Sequence, residues 1–593
     1  MSNSGTRLTR RNFLRMVGAA GGTAAVHETL VALGLMRHPD TWAGPPKIRP
    51  GIGKNQSVLI LGAGVGGLAT AYRLTQSGYD CRIYEAQNRA GGRSYTARRG
   101  NKVFEESEEN GKTEQACQFD EGLYVNLGPG RIPYHHRRVI NLCRELEVDL
   151  EVYVHTTDTN LHRMAKGPLD KAYARRRIAY DTKGYIAELL AKAVNQRAFD
   201  HELSNEDKEK LLSLLQKFGD LNNRFKYTGS TRAGCKGGTN NPHVCGAKID
   251  EPIEPLEPLG LTDLLRSEFW DPCIVAAPRG EASCNPMSYG HGFYQVKEDL
   301  WQTTSFQPVG GMDKIVDALR YTEIKVEGRT VKLDDLIRLN TVVTGIAYDQ
   351  EAQQVKVTYN GTETMDVDFC VSNIPLTVLK DIDLDGFSPT FHDAIRRGAF
   401  SNACKVGWQA NKRFWELKDY IFGGISWIEH PITQMWYPSN DYFSDKGVLT
   451  GAYNYARTAR DFGRLPLPAR LDKAYEGGRL LHEQAFEPGG NVVPKDLGIS
   501  IAWQNVPYQK GCSAVWNSMS DQDEADFERL LAPDLNNRFY IVGDQVSSLP
   551  GWQEGALMSA EHVFDQIVTG QGRDLEDIRE QIKQAPMTLE VMG

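Results

Sequence analysis

Residues 57–85 read SVLILGAGVGGLATAYRLTQSGYDCRIYE, and this stretch decides the fold. Ser57 to Leu61 is a short apolar run, which is typical of a buried parallel strand. Gly62, Gly64 and Gly67 follow in the spacing G-x-G-x-x-G. The residues after them place apolar side chains on one face of a helix. The pattern therefore predicts a strand that turns directly into a helix.

Each glycine has its own physical role in that turn. Gly62 permits the tight turn, Gly64 omits a Cβ that would block a pyrophosphate, and Gly67 lets the helix pack on the strand. The N-terminus of the helix offers free N–H groups and a partial positive charge to a phosphate. A second strand, Tyr79 to Tyr84, ends at Glu85, whose carboxylate can accept hydrogen bonds from ribose hydroxyls. The stretch therefore predicts a dinucleotide-binding site.

The turn after the second strand indicates which dinucleotide is bound. Arg89, Gly91, Gly92 and Arg93 form the pattern R-x-G-G-R. This pattern resembles the second FAD-contacting turn of the flavin-dependent amine oxidase family. The resemblance implies FAD as the cofactor, with Ala86 and Arg93 among the residues that bind it.

Length and charge limit the other classes of function. A chain of 593 residues exceeds one ordinary core, so two or three domains are expected. The net charge of -8 gives no basic surface for nucleic acid. The sequence has no run of about 18 apolar residues, so a stable membrane span is not expected. It also has no C-x-x-C zinc spacing, and no metal site is predicted.

The N-terminus carries an export motif. Thr9 to Arg15 reads TRRNFLR, a close match to the twin-arginine signal, and the weakly apolar segment Met16 to Val26 follows. The twin-arginine machinery exports folded proteins, which suits a protein that collects FAD in the cytoplasm. The motif predicts a periplasmic or extracellular bacterial protein. His27 and Glu28 interrupt the apolar run, so in the alternative reading the segment is retained and packs on the body of the protein. Thr41 to Ala43 is a candidate cleavage site, but a poor one.

A second stretch resembles a particular branch of the family. Tyr124 to Pro133 reads YVNLGPGRIP and looks like the corresponding segment of the L-amino-acid oxidases. In those enzymes the Arg before the aliphatic-Pro pair holds the substrate α-carboxylate, and here that residue is Arg131. A planar guanidinium suits this role because it binds a carboxylate bidentately. Gly128, Pro129 and Arg131 are also expected at the cofactor. In the alternative reading, Arg131 bridges loop carbonyls.

The middle of the chain shows mostly helical patterns. Arg138 to Leu150 and Tyr185 to Phe218 carry charges on one face and apolar residues on the other, so we expect a helical domain that offers a candidate homodimer surface. Asn101 to Gln115 is polar and is expected to be an exposed loop without chemistry. Cys235 and Cys245 lie in a long surface insertion, where a disulfide and two free thiols are equally compatible with the sequence.

The chain then resembles the return to the FAD domain. Pro308 to Ile315 contains GGMDKI, which is similar to the turn at which amine oxidases re-enter that domain. Strands are predicted at Asn340 to Ile346, at Val355 to Tyr359, and at Phe369 to Pro375, the last of which ends near the cofactor. The family position places Val343 against the adenine, although an ordinary strand valine fits equally well.

Two further stretches contain the predicted substrate residues. Lys405 lies inside the strand pattern Ser401 to Trp408, where a buried cation would be costly without a purpose. The matching lysine of the family holds a water against the flavin N5; the alternative is a lysine whose ammonium reaches the surface. Gly447 to Tyr455 places Tyr453 where L-amino-acid oxidases have a second carboxylate-binding group. The alternative for Tyr453 is a core position.

Trp503 and Tyr508, followed by Gly511 and Cys512, resemble the stretch that lies over the flavin ring in monoamine oxidases. There the matching Cys carries a covalent flavin, whereas L-amino-acid oxidases usually have Gly and bind FAD non-covalently. The residues after Cys512, Ser513 to Trp516, depart from the covalent pattern. We therefore expect non-covalent FAD and an inert buried thiol.

The last motif is an apolar strand, Arg538 to Asp544, followed by a helix that opens within Leu549 to Ala556. It resembles the closing flavin motif of the family, in which Asp544 would accept a hydrogen bond from the ribityl chain and Trp552 would wall the substrate pocket. The cofactor-binding residues predicted from this motif are Gly543, Asp544, Gly551 and Trp552.

Together these patterns predict an α/β fold: a two-dinucleotide-binding-type FAD domain, a mixed-sheet substrate domain and a helical domain. The predicted division is a signal segment at 1–44, FAD-binding parts at 54–135, 305–380 and 535–575, a mainly helical domain at 136–300, and a substrate-binding domain at 381–530.

The resemblance implies oxidative deamination of an L-amino acid by FAD and dioxygen to a 2-oxo acid, ammonia and hydrogen peroxide, with Arg131, Tyr453, Lys405 and Trp552 as the catalytic residues. The alternatives are an amide-forming amino-acid 2-monooxygenase, a primary-amine or polyamine oxidase, and an exported flavin-binding protein without turnover. The sequence leaves the side-chain preference open. Trp436, Tyr437, Trp503 and Trp552 favour apolar substrates, whereas Glu429 or Glu554 would select a basic one.

Overall fold

The computed structural model describes residues 42, 44–164, 168–236, 253–267, 304–516 and 520–569. The twin-arginine motif and Cys245 lie outside these residues. The helices of the described chain are α1 (Val65–Gln76), α2 (Arg137–Glu145), α3 (Arg175–Asn195), α4 (Asn205–Phe218), α5 (Leu261–Arg266), α6 (Lys314–Tyr321), α7 (Leu376–Leu379), α8 (Pro389–Arg397), α9 (Phe414–Leu417), α10 (Ala456–Gly463), α11 (Leu467–Leu481), α12 (Asp521–Leu531) and α13 (Gln553–Thr569).

The strands up to residue 255 are β1 (Ser57–Leu61), β2 (Asp80–Tyr84), β3 (Thr96–Arg98), β4 (Lys102–Ser107), β5 (Gly111–Ala116), β6 (Tyr124–Asn126), β7 (Ile132–Pro133), β8 (Leu150–Val154), β9 (Leu161–Arg163), β10 (Tyr173–Ala174), β11 (Cys235–Lys236) and β12 (Glu254–Pro255). Those that follow are β13 (Thr304–Pro308), β14 (Ile324–Val326), β15 (Arg329–Val331), β16 (Ile337–Arg338), β17 (Val343–Asp349), β18 (Gln354–Tyr359), β19 (Glu363–Val367), β20 (Phe369–Ser372), β21 (Asp383–Leu384), β22 (Phe400–Ser401), β23 (Ala403–Ala410), β24 (Ile425–Ile428), β25 (Gln434–Trp436), β26 (Gly447–Tyr455), β27 (Gly498–Ala502), β28 (Ser513–Ala514) and β29 (Phe539–Ile541).

A five-stranded parallel sheet, in the order β16-β2-β1-β20-β29, forms the first framework. The predicted strand at residues 57–61 is its central strand. Val58 and Ile60 enter the core that α1 and α13 share, whereas Leu59 and Leu61 enter a second core on the opposite face. Both faces of β1 are therefore covered, which explains its unbroken apolar run.

A seven-stranded mixed sheet, in the order β10-β9-β24-β25-β26-β23-β27, forms the second framework. Every residue of β23 is buried. Lys405 on β23 is paired with Tyr453 on β26 and with Ile501 on β27. The sheet thus brings two predicted substrate residues, separated in the sequence, onto neighbouring strands.

The stretch predicted to be mainly helical contains α2 to α5, but it also supplies strands to other parts of the fold. The predicted helix at 138–150 ends at Glu145, and β8 begins at Leu150 to pair with β13. The pattern at 185–218 is divided between α3 and α4. Cys235 takes part in a disulfide bond.

The expectation of an exposed loop at 101–115 was wrong, because β4 and β5 form an antiparallel hairpin there. Val103 and Glu105 alternate with exposed positions along β4, and both are buried. Glu105 Oε1 and Oε2 accept from Arg470 at 2.9 and 3.0 Å, and Oε1 also accepts from Ala502 N–H at 2.8 Å. Because the inward-facing residue Glu105 is charged, the sequence does not show the alternation of apolar and polar residues that predicts a strand.

Trp42, from the predicted signal segment, contacts the body of the protein. Its Nε1–H donates to Glu561 Oε2 on α13 at 3.0 Å, and the Arg138 guanidinium lies 5.6 Å from its ring centroid. Within the described parts of the chain, no helix is both long and apolar enough to cross a bilayer.

The buried pair makes the hairpin a stabilising element. We expect Glu105→Ala to lower the free energy of unfolding by about 3–5 kcal/mol, because it leaves the Arg470 guanidinium buried without its carboxylate. Glu114→Ala on β5, which removes an exposed ion pair with Lys102, should cost about 1 kcal/mol or less. Urea unfolding of both variants measures the difference, and equal costs would contradict this account.

Candidate functional site

A cavity opens where the strands of the parallel sheet end, and it encloses about 1220 Å³ including its mouth. Its wall contains thirteen of the predicted cofactor-binding residues: Gly62, Gly64, Glu85, Ala86, Arg93, Gly128, Pro129, Val343, Trp503, Gly543, Asp544, Gly551 and Trp552. Lys405 and Tyr453 belong to the same wall. Two predicted residues, Gly67 and Arg131, lie behind it.

The glycine turn leaves no room for side chains. Gly62 has a φ of +98°, a conformation that L-residues rarely adopt. A Cβ on Gly64 would lie 2.6 Å from Asn373 Nδ2, and a Cβ on Gly67 would lie 2.2 Å from Gly62 O. Gly67 therefore serves the contact between α1 and β1 and does not form part of the cavity wall.

Glu85 occupies the predicted position at the end of β2, and its carboxylate is held by two backbone groups. Oε2 accepts from Ala63 N–H at 2.8 Å, and Oε1 accepts from Gln87 N–H at 2.9 Å. Burial raises the pKa of Glu85, against the opposing effect of these two hydrogen bonds. The bonds leave further acceptor capacity on both oxygens for hydroxyl donors.

Arg93 and Asp544 join the R-x-G-G-R turn to the segment that follows β29. Arg93 Nη1 donates to Asp544 Oδ2 at 3.0 Å, Nη2 donates to Oδ1, and Nη1 also donates to the Cys512 carbonyl. Gly551 N–H donates to Asp544 Oδ2 at 2.7 Å. Burial alone would lower the pKa of Arg93, but the Asp544 carboxylate raises it above its usual value. The pair fixes three separate segments at one edge of the cavity.

The Lys405 side chain is buried, with 2% of the residue exposed. Its Nζ donates to the carbonyls of Asn126 at 3.1 Å and Gly128 at 2.5 Å. Burial lowers its pKa to about 7; Cys512 raises this pKa and Arg131 lowers it further. The alternative of an ammonium that reaches the surface does not hold.

Arg131 lies beside the wall between two indole rings. Its guanidinium carbon is 5.4 Å from the Trp436 ring centroid and 5.3 Å from that of Trp552. Burial lowers its pKa, whereas nearby tyrosines, Tyr153 and Tyr453 among them, raise it. Cation–π contacts of this kind stabilise a desolvated cation by about 2 kcal/mol.

The four aromatic residues proposed for the substrate pocket have different positions. Trp503 and Trp552 line the cavity. Trp436 packs behind it, with its ring centroid 5.1 Å from that of Tyr453 and 5.0 Å from Lys405 Nζ. Tyr437 belongs to a core on the other face of the sheet and bonds to His482 at 2.6 Å. Tyr437 therefore takes no part in the pocket.

Neither acidic residue considered for basic substrates belongs to the cavity wall. Glu554 accepts hydrogen bonds from the backbone N–H groups of Arg138 and Val139 and from the Arg138 side chain. The backbone N–H of Glu429 donates to the carbonyl of Arg163. Among the described residues, the acidic side chains that line the cavity are Glu85 and Asp544.

Sequence reasoning missed several wall residues. Asn373 follows β20, and the predicted strand at 369–375 was a signal that could have located it. Gln509 precedes the turn that returns to Cys512, and this loop residue follows no spacing rule. Tyr508, expected over the flavin ring, belongs to the wall. The wall residues that were not predicted include Thr341, Asn373, Gln509 and Gln553.

Cys512 is part of the cavity wall and is a partly exposed free thiol. Its position in the cavity wall agrees with the resemblance to the stretch over the flavin ring, but the thiol is partly exposed and not fully buried. Burial raises its pKa, against the lowering effects of Arg93 and Lys405. This shift keeps the sulfur protonated and weakly nucleophilic at neutral pH.

The residues present fit FAD. Gly62 and Gly64 line the cavity without side chains at the N-terminus of α1. The N-terminus of a helix is a binding site for a pyrophosphate. Glu85 is available to ribose hydroxyls, and the remaining space extends from there to Trp503 and Lys405. The cavity is thus one continuous space, with a nucleotide end and a redox end.

The family model and the related proteins that match this chain agree with one another. The chain matches the family described as flavin containing amine oxidoreductase over residues 65–568. It is 26% identical to the flavin-dependent L-tryptophan oxidase of Lentzea aerocolonigenes, over 88% of this chain and 99% of that protein. It is 23% identical to the L-amino-acid oxidase of Pseudechis australis, over 85% of this chain and 84% of that protein.

Solved structures show the same fold. Putrescine oxidase bound to putrescine superimposes with a TM-score of 0.52 at 13% identity, covering 87% of this chain and 99% of that one. The fold class and the family resemblance predicted from the sequence are therefore confirmed, and FAD is the cofactor. The comparisons give no indication of covalent attachment.

The lowered pKa of Lys405 has a consequence for stability. The lysine titrates near 10.5 in the unfolded chain and near 7 in the folded one. Between these pH values the unfolded chain binds more protons, so folded protein gains stability as the pH rises, by at most about 1.4 kcal/mol per unit. The melting temperature of wild type should therefore rise relative to Lys405→Met between pH 6.5 and 9.5. A difference that stays constant with pH would contradict this.

Proposed function

Because the chain belongs to the flavin-containing amine oxidoreductases, we propose that it oxidises an L-amino acid to a 2-oxo acid with release of ammonia and hydrogen peroxide. One observation carries the proposal. Lys405 in the cavity wall and Arg131 directly behind it bring two buried basic groups to the redox end of the cavity. The acidic wall residues of the described chain are already bound, Glu85 by two backbone N–H groups and Asp544 by Arg93. The carboxylate of an amino acid would be attracted to these basic groups, whereas the second ammonium group of a diamine would be repelled by them.

Each residue of the site has a distinct part in this reaction. Arg131 and Tyr453 bind the substrate carboxylate and so fix the orientation of Cα. Lys405, with a pKa near neutrality, holds a water or exchanges a proton at Nζ. Trp552 and Trp503 exclude bulk water from the reacting carbon.

The reaction balances with the cofactor and dioxygen. Bound FAD supplies the acceptor for two electrons. The amino acid loses one hydrogen from Cα and one from its amine to give an imino acid, and water converts this to the 2-oxo acid and ammonia. Dioxygen takes up the two electrons and two protons and leaves as hydrogen peroxide.

The same wall supports an apolar side chain on the substrate. Trp503, Tyr453 and Trp552 line the redox end, and the acidic wall residues of the described chain, Glu85 and Asp544, are engaged by backbone N–H groups and by Arg93. The similarity to an L-tryptophan oxidase supports this preference. Basic amino acids and diamines would place a cation against Lys405.

The first test is a substrate panel for the FAD-loaded protein. We expect peroxide release from L-tryptophan, L-phenylalanine or L-leucine, and at least 100-fold less from tryptamine, phenethylamine and putrescine, because the amines lack the carboxylate. Turnover of the amines alone would favour an amine oxidase. An amide product found by mass spectrometry would favour a 2-monooxygenase, and no turnover would favour a flavin-binding protein.

The anchor is tested by Arg131→Ala. We expect this variant to keep FAD and to lose about 2–5 kcal/mol of carboxylate binding, which lowers kcat/KM for the amino acid by about 30-fold or more. Residual turnover of the matched amine is the internal control, because it should not change. Equal kcat/KM of wild type and variant on the amino acid would exclude Arg131 as the anchor.

A further inference from the structure

Two segments that carry the substrate end of the cavity are joined by one buried carboxylate. Arg131 lies shortly before α2, and Trp552 immediately precedes α13. Glu554, in the first turn of α13, accepts from Arg138 N–H at 3.2 Å and from Val139 N–H at 3.0 Å at the start of α2. Its side chain is 4% exposed. The contact therefore ties the start of one helix to the start of the other.

A second ion pair supports the same junction. The Arg138 side chain donates from Nη1 to Glu554 Oε1 at 3.2 Å and from Nε to Glu561 Oε2 at 2.8 Å. Both acceptors belong to α13, about two helical turns apart. Bonds between a carboxylate and a guanidinium or a helix N-terminus are strong because the acceptor is charged.

The junction lies directly behind the substrate residues. The His136 ring, at the start of α2, meets the Trp552 ring edge to face at a centroid distance of 4.9 Å. The Arg131 guanidinium carbon is 5.3 Å from the same indole. A shift of α2 relative to α13 would therefore change the spacing between the anchor and the pocket wall.

We propose that Glu554 is a positioning residue for substrate binding: by holding the start of α2 on α13, it sets the distance between Arg131 and Trp552 that a substrate carboxylate requires. The inference rests on the proposed function, because it assumes that Arg131 binds the carboxylate. Displacement of a binding group by about 1 Å can cost about 100-fold in rate.

The test compares E554Q with wild type as FAD-loaded proteins. The amide replaces one acceptor by a donor that opposes the N–H groups of α2, so the junction loosens while the volume is kept. We expect KM for L-phenylalanine and Kd for 3-phenylpropanoate, followed by flavin absorbance, to rise about 10-fold or more. The Kd of the neutral 3-phenylpropanamide should change less than 2-fold, and the E554D variant should recover part of the loss.

The matched control is Glu145→Gln at the other end of α2. Glu145 pairs bidentately with Arg73 on α1 at 2.6 and 2.7 Å, so its loss should lower the melting temperature and leave both Kd values unchanged. An unchanged Kd for 3-phenylpropanoate in E554Q would overturn the proposal. Loss of FAD from E554Q but not from the control would also overturn it, because Glu554 would then support the cofactor domain.

Failure of the proposed function would be recognised separately. If wild-type protein bound 3-phenylpropanoate no better than its amide and turned over no amino acid, the carboxylate anchor itself would be wrong. The role of Glu554 would then fall with it. If wild type showed the preference and E554Q kept it, the proposed function would stand and the inference about Glu554 alone would fail.

Discussion

The close approach of helix α1 to strand β1 is the constraint on which the rest of the structure depends. A methyl group at Gly67 would lie 2.2 Å from the Gly62 carbonyl, and Gly62 has a φ of +98° that L-residues rarely adopt. The helix can therefore begin directly at the end of the strand only with glycine at both positions. That junction places the N-terminus of α1 at the edge of the sheet where the strands have their carboxyl ends. The cavity, the glutamate at the end of β2 and the Arg93–Asp544 pair are all arranged around this edge.

The opposite end of the cavity is built on a different principle, the burial of positive charge. Lys405 and Arg131 are both desolvated, and burial lowers the pKa of each. Backbone carbonyls and the faces of Trp436, Tyr453 and Trp552 compensate in part. A bound carboxylate would add the opposite charge in a region of low dielectric constant, where its attraction is strong. The site thus has one end suited to phosphates and another suited to a small anion.

These two ends are held in register by contacts that join distant parts of the chain. Strand pairing places Lys405 next to Tyr453, and the Arg93–Asp544 pair holds three segments beside Cys512. Glu554 connects the helices that follow Arg131 and Trp552. Each connection uses a buried charged or hydrogen-bonded group, and such groups are costly to disturb because a remaining partner would stay buried.

The sequence by itself determined the glycine turn, the strands around it, the family and FAD, because these depend on local spacing and on short motifs. Most of the residues it named for the cofactor also belong to the cavity wall. Only the tertiary structure decided that the polar stretch 101–115 is a hairpin, that Tyr437 belongs to a separate core, and that Glu554 binds a helix start rather than a substrate. The reason is physical: whether a charged or aromatic side chain is buried, and against what, depends on contacts between residues hundreds of positions apart, which no local pattern records.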